Sequence, residues 1–152
     1  MRLWRITRSA YQALDGEGAR LNGGRWNNEG QAVVYTSSTL SLAALELLVH
    51  VEPLLAPGDL LAAELDVPDD AGLGVQVTAD VFPPGDWQQY PAPEWQAELG
   101  DTSIDDGTFL WLAVPSAIVS HEYNVLLNPR HARMAAVRIV STRPFSFDKR
   151  LL

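Results

Sequence analysis

Three residues between Leu21 and His50 carry side chains suited to a single pocket: Arg25, Tyr35 and Glu46. Arg25 follows Gly23 and Gly24, which let a backbone take positive φ and approach a ligand closely. Its guanidinium is a planar fork matched to the oxygens of a pyrophosphate. Tyr35 ends an apolar run directly before Thr36-Ser37-Ser38, where its ring can stack on a flat heterocycle with the hydroxyl at the pocket edge. Glu46 is the one carboxylate in an otherwise apolar stretch from Leu40 to Val51. Burying an unpaired carboxylate is costly, so this one must be protonated, paired or facing a cleft. In a mostly apolar cleft it would stabilise an oxocarbenium-like ribose cation or grip ribose hydroxyls as a leaving group departs. Ser116, after a proline between two apolar runs, and Asn124, which with Asn128 brackets Val125-Leu126-Leu127, are further polar candidates.

Each residue also has a plainer explanation. Arg25 can be a surface arginine after an ordinary turn, and Tyr35 a core aromatic. Glu46 can pair with His50, four residues on along the same helix face. Ser116, Asn124 and Asn128 can serve turns. Several other chemistries lack their signatures. Gly23-Gly24-Arg25 is neither a P-loop nor a dinucleotide fingerprint. His50, His121 and His131 lack metal-ligand spacing, there is no cysteine, and Ser116 is not in a nucleophile elbow.

The elements that must position these groups can be read from periodicity. Strands are expected at Arg2–Thr7, Gln31–Thr36, Leu60–Val67 (Leu61, Ala63, Leu65 and Val67 inward), Gly74–Thr78, Phe109–Val114, Ala117–Val119 and Ala136–Phe147. Ser9 to Leu21 has a loop signature, and His121 to His131 is expected as a hairpin or loop. One helix is expected from Leu40 to about Val51, capped by Ser38 or Thr39 and stopped by Pro53. Both of its sides are apolar, which predicts a buried helix with Glu46 at least partly buried in it. A shorter helix is expected over Pro93–Gly100. Strands outnumber helices and do not alternate with them, so the fold class is α+β: one compact domain over residues 1–152, mainly antiparallel.

The chain is long enough for a core without disulfides or structural metal. Its start has no apolar leader segment and no apolar run is long enough to span a bilayer, so a cytoplasmic protein with no membrane association is expected. Net charge is −8 and unevenly spread. Five arginines lie between Arg2 and Arg25, and the other six basic residues between Arg130 and Arg150. The segment Trp26–Pro129 holds 16 of the 19 acidic residues and no Lys or Arg. Such a surface repels phosphate backbones, which argues against direct nucleic-acid binding and against RNA cleavage. The acidic middle is either ordinary solubility charge or a docking surface for a basic partner, with the terminal arginines supplying a local cationic site.

The segments GGRWNNEG, VVYTSSTLSLAALELLVH, VPSAIV and NVLLNPRH, in this order, resemble the RES-domain family, toxins of bacterial toxin–antitoxin pairs. The resemblance covers nearly the whole chain. It implies a fold related to ADP-ribosyltransferase toxins and an activity that consumes NAD as substrate, with no metal or other cofactor. The family's arginine, tyrosine and glutamate fall on Arg25, Tyr35 and Glu46. Its serine falls most naturally on Ser116, with Ser37, Ser38 and Ser120 as lesser claimants, and Asn124 matches the asparagine before the LLNP segment. The implied mechanism has Arg25 on the pyrophosphate, Tyr35 on the nicotinamide side, Glu46 on the nicotinamide ribose, and Ser116 on ribose or the nicotinamide amide. The acceptor is left open among water, phosphate and a protein side chain, the last making the chain an ADP-ribosyltransferase. A non-catalytic nucleotide-binding module is the alternative from another class. The implied partner is an Xre-family helix-turn-helix antitoxin that blocks the active site in a hetero-oligomer.

Overall fold

The structure, a computed structural model, describes residues 1–52 and 55–152. Along the chain run β1 (Arg2–Arg8), α1 (Glu17–Asn22), β2 (Val34–Ser37), α2 (Leu40–Leu48), β3 (Leu60–Asp66), β4 (Gly74–Gln76), α3 (Glu94–Asp106), β5 (Trp111–Pro115), β6 (Tyr123–Leu127) and β7 (Arg138–Pro144), with short 3-10 turns between them. The strands form one sheet in the order β4-β5-β6-β2-β1-β3-β7. Every neighbouring pair is antiparallel except β4 and β5, which are parallel. This is the expected α+β class.

Strand periodicity divides the core between the two faces of the sheet. Val34, Val125 and Leu127 pack on one side with Leu3, Ala63 and Leu65. Val33, Leu112, Val114 and Leu126 pack on the other with Trp26 and Ile104. Successive side chains point to opposite faces, so a central strand covered on both sides must be apolar at consecutive positions. That explains β6, where Val125, Leu126 and Leu127 are all buried. The segment expected as a hairpin or loop is therefore an inner strand, and its short apolar run was too brief to show this by alternation.

Other expectations shift for local reasons. Ala117–Val119 is not a strand, because the Ser116 hydroxyl accepts the backbone N–H groups of Ile118 and Val119 (3.0 Å each) and turns the chain. The Ser9–Leu21 loop contains most of the short helix α1. In β3 both Ala62 and Ala63 are buried as well as Leu60, so inward and outward positions do not strictly alternate; the register with β7 shifts between Glu64 and Leu65. Thr39 caps α2, accepting the Leu42 N–H at 3.1 Å. This helix ends at Leu48, and the expected stop at Pro53 lies outside the described residues. Nor is α2 buried all round: Leu42 and Ala43 are, whereas Leu45 and Val49 are exposed. One side packs on the sheet and the other faces solvent.

Helix α3 runs to Asp106, well past Gly100, because Gln96, Gly100 and Ile104 form an i, i+4, i+8 stripe against the rest of the domain. Gly100 is there for closeness: a Cβ would lie 1.7 Å from the Trp26 carbonyl oxygen. Gly100→Ala should therefore lower stability by about 1–3 kcal/mol or more, as for an overpacked core. Gly18, in α1 with nothing within 4 Å of an added Cβ, is the control. Gly18→Ala should be neutral or stabilising by up to ~1 kcal/mol through helix propensity. Urea unfolding of both variants measures the contrast, and equal effects would contradict this packing.

Candidate functional site

The parity that divides the core also assembles the polar groups. Val33, just before β2, and Tyr35 within it pack in one cluster on the same side of the sheet, and Ser37 falls on that side by alternation. Ser37 pairs in register with Asn124 of β6, and Tyr35 with Leu126. On the next strand Pro115 pairs with Tyr123, leaving Ser116 just past the end of β5. Helix α2 starts three residues after Ser37 and carries Glu46 over this corner.

Glu46 is half-buried, and its Oε1 accepts hydrogen bonds from Ser116 Oγ at 2.7 Å and Asn124 Nδ2 at 2.5 Å. Asn124 is oriented in turn by Ser37, whose hydroxyl donates to Asn124 Oδ1 at 2.7 Å. The carboxylate is thus held by neutral donors from two other segments. Its pairing with His50 does not occur; His50 is exposed on the surface. Ser116, expected to touch a ligand, is fully buried. Its hydroxyl proton goes to Glu46 and its lone pairs to Ile118 and Val119, so it fixes the carboxylate and closes a turn. Ser37 stands one step behind, on Asn124. Oε2 of Glu46 has no hydrogen-bond partner among the described residues.

Arg25 is held in the opposite sense. Nη1 donates to the Trp87 carbonyl at 3.1 Å and to Gln96 Oε1 at 3.0 Å, and Nη2 donates to the Gln89 carbonyl at 3.0 Å. Of the five N–H groups of the fork, the one on Nε and one on Nη2 have no partner among the described residues. No carboxylate lies within 4 Å of the guanidinium there. Burial lowers its pKa, and the charges of Glu46, Asp86, Tyr35 and Tyr90 act against that shift. The arginine stays cationic.

Tyr35 differs from the expectation of a hydroxyl at the pocket edge. Its OH donates to Asn27 Oδ1 at 2.7 Å and accepts the Trp26 N–H at 3.1 Å. Burial, above all, raises the phenol pKa. Gly23 does take positive φ, 67°. Gly24 serves a close approach to protein, not ligand: a Cβ there would meet the Tyr35 hydroxyl at 2.8 Å. Tyr35 thereby pins the Gly24–Asn27 turn, and Arg25 with it.

Sequence reasoning missed Gln96 and Asn27, and placed Ser37 only among the lesser claimants for the family's serine. Gln96 is fully buried, and its signal was available, since it shares the helical stripe of Gly100 and Ile104. Asn27, also buried, donates to the carbonyls of Ala19, Asn28 and Gln31. An aromatic cluster locks this side in place: Trp26 packs edge-on to Trp95 at 6.2 Å, and Phe82 contacts Trp26, Trp87 and Trp95. Two surface depressions, of about 500 and 330 Å³, lie away from these groups, beside Met1–Asp66–Arg138 and Asp105–Asn128–Arg130. Neither contains the chemistry, so the convergent charges define the site better than concavity does. No group of three metal-binding side chains occurs among the described residues.

The mixed seven-stranded sheet with its three helices is the α+β fold expected of the class that the sequence resembles. The chain belongs to the RES-domain family: the RES domain matches residues 2–148. It is 35% identical to the Prs ADP-ribosylating toxin of Sphingobium sp. strain YBL2, over 98% of this chain and 95% of that protein. To the proteins named Toxin Res of Yersinia enterocolitica and Pseudomonas putida it is 34% and 37% identical, over 99% of each chain. Its fold matches a chain of the M. tuberculosis MbcT–MbcA toxin–antitoxin complex with a TM-score of 0.75, at 17% identity, over 95% of this chain and 84% of that one.

The buried phenol gives a test of this geometry. The unfolded chain releases the tyrosine proton near pH ~10, and the folded protein holds Tyr35's proton to higher pH. Above the unfolded value the native state therefore binds more protons, so stability falls as pH rises. Urea unfolding at pH 9 and 11 should show a steeper loss for the wild type than for Tyr35→Phe. Equal slopes would mean that Tyr35 ionises like an exposed phenol.

Proposed function

We propose that the chain is the toxin of a type II toxin–antitoxin pair and cleaves the nicotinamide–ribose bond of NAD. One observation carries this reading. Glu46 has one oxygen fixed by Ser116 and Asn124 and the other without a protein partner, near an arginine that keeps two N–H donors. The two donors of Arg25 suit the NAD pyrophosphate. Tyr35 packs its ring on the nicotinamide side while its hydroxyl holds the Arg25 turn. Oε2 of Glu46 takes a hydrogen bond from the nicotinamide ribose and stabilises the positive charge that builds on it. Ser116 and Asn124 act through Glu46 by orienting its carboxylate.

In this reaction the bond from C1′ to the nicotinamide nitrogen breaks, and its electron pair neutralises the pyridinium. An acceptor oxygen forms the new bond to C1′ and gives up its proton to solvent. Water as acceptor yields ADP-ribose, and inorganic phosphate yields the phosphorylated sugar; either depletes NAD and arrests growth. Transfer to a protein side chain is the second reading, favoured by the 35% identity to a relative named as an ADP-ribosylating toxin. A non-catalytic nucleotide-binding module would bind NAD without turnover. The partner is an Xre-family helix-turn-helix antitoxin that covers the active site in a hetero-oligomer. The fold shared with a chain of a toxin–antitoxin complex supports a partner, as do Leu45 and Val49, exposed on the helix that carries Glu46. The compartment is the cytoplasm, and no direct contact with nucleic acid or membrane is involved.

Purified protein incubated with NAD should release nicotinamide, and chromatography of the co-product identifies the acceptor. Glu46→Gln and Arg25→Ala should both fold, the second with a lowered melting temperature because Gln96 Oε1 loses its donor. Their turnover should fall by about 100-fold or more, the scale for losing a group that stabilises transition-state charge. Undiminished NAD loss in cells expressing either variant would refute the assignment.

A further inference from the structure

We propose that Gln96 is a positioning residue that holds Arg25 in place without neutralising its charge, so that the charge is left for the diphosphate of the substrate. This rests on the NAD-cleaving role proposed above. Among the described residues, the three acceptors on Arg25 are all neutral: two backbone carbonyls, of Trp87 and Gln89, and the Gln96 side-chain amide. Gln96 is 0% exposed, so it does not touch solvent, and its orientation is fixed from both ends. Oε1 accepts from Arg25 Nη1 at 3.0 Å, and Nε2 donates to the Trp87 carbonyl at 2.8 Å. Turned over, the amide would aim its NH2 at the guanidinium and its oxygen at a carbonyl, losing both bonds. The Trp87 carbonyl therefore serves two donors, and one closed ring of hydrogen bonds joins the arginine, the glutamine and the loop before α3.

The choice of an amide is the point of the arrangement. A carboxylate in that place would hold the guanidinium more strongly, through a charge-assisted bond. It would also cancel much of the field that attracts an anion. A neutral acceptor in a site partly shielded from water supplies direction and leaves the net charge in place. Trp95, beside Gln96 in sequence, is packed on Trp26, beside Arg25, so the two residues are registered through the core.

Two substitutions of nearly the same shape separate this role from a merely structural one. Gln96→Glu keeps an acceptor for Arg25 but adds a charge and gives up the donor to the Trp87 carbonyl; Gln96→Met keeps the volume but removes both hydrogen bonds. In nicotinamide-release assays Gln96→Glu should raise the KM for NAD about tenfold or more with kcat within about twofold, the pattern of lost uniform binding. Gln96→Met should raise KM by a smaller factor. If Gln96→Met is as damaging as Gln96→Glu, or if kcat falls while KM stays, the inference is wrong. Circular dichroism checks folding. Should the glutamate variant not fold, Gln96→Met decides alone: about a threefold or larger rise in KM at unchanged kcat supports the role, and an unchanged KM overturns it. A wild type that binds NAD but releases no nicotinamide would refute cleavage only, and the same ordering is then read from dissociation constants by calorimetry. A wild type that neither binds nor cleaves NAD overturns both.

Discussion

One carboxylate oxygen fixes the geometry of half the site. Oε1 of Glu46 takes two hydrogen bonds, from a serine beyond β5 and an asparagine on β6, while the glutamate itself comes from α2. Hydrogen bonds to an ionised acceptor are about twice as strong as neutral ones. Their loss in a half-buried position would leave the anion under-solvated, at a cost of about 1–3 kcal/mol or more. The fold around Glu46 is built to prevent that. The β2–β6 register brings Ser37 to Asn124, and Thr39, which caps α2, also donates to Glu122 at 2.9 Å, just before β6. The helix is thereby tied at its start to the strand that supplies one of the donors to its glutamate.

The cationic half follows the complementary rule, with neutral acceptors around a guanidinium. The two charges influence each other without forming an ion pair within 4 Å. Had they paired, each would have spent its hydrogen-bonding capacity on the other, and little would remain for a ligand. Separate neutral cradles leave a dipolar gap, suited to a molecule with an anion at one end and developing positive charge at the other. The halves are still mechanically joined: Gln88 Nε2 donates to the Ala117 carbonyl at 2.9 Å, so the loop that cradles Arg25 touches the turn that fixes Ser116.

Much of this was legible in the sequence, for identifiable reasons. Glu46 stood out because a carboxylate in an apolar helix needs a partner, and Arg25, Tyr35, Ser116 and Asn124 all join the Arg25 or Glu46 networks. What could not be read was who satisfies whom. His50 was the natural local partner for Glu46, yet the donors come from 70 and 78 residues away, which only the sheet order can reveal. The role of Ser116 changed for the same reason, since saturation of a hydroxyl is a property of three dimensions. β6 was hidden because a strand buried on both faces has no alternation, and Gln96 because the helix was ended too early, at Gly100. Gly100, the last residue of the expected helix, lies inside α3 as a contact point set against the Trp26 carbonyl.

The charge pattern takes on a different meaning once the strand order is known. β3, from the acidic middle, lies between β1 and β7, which carry the terminal arginines. Arg2 thus reaches Glu64 and Asp66, Arg8 reaches Asp59, and Arg138 reaches Asp66. Arg130 and Arg133 find Asp105 and Asp70 in the same way. These exposed pairs contribute little stability, about 0–1 kcal/mol each. Their consequence is electrostatic: cations that look like a basic cluster in sequence are distributed and largely compensated on the surface. A groove able to track a nucleic-acid backbone needs uncompensated cations in a row. Arg25, partly buried, forms no ion pair among the described residues, so it stands apart from the paired surface cations and is not part of such a row.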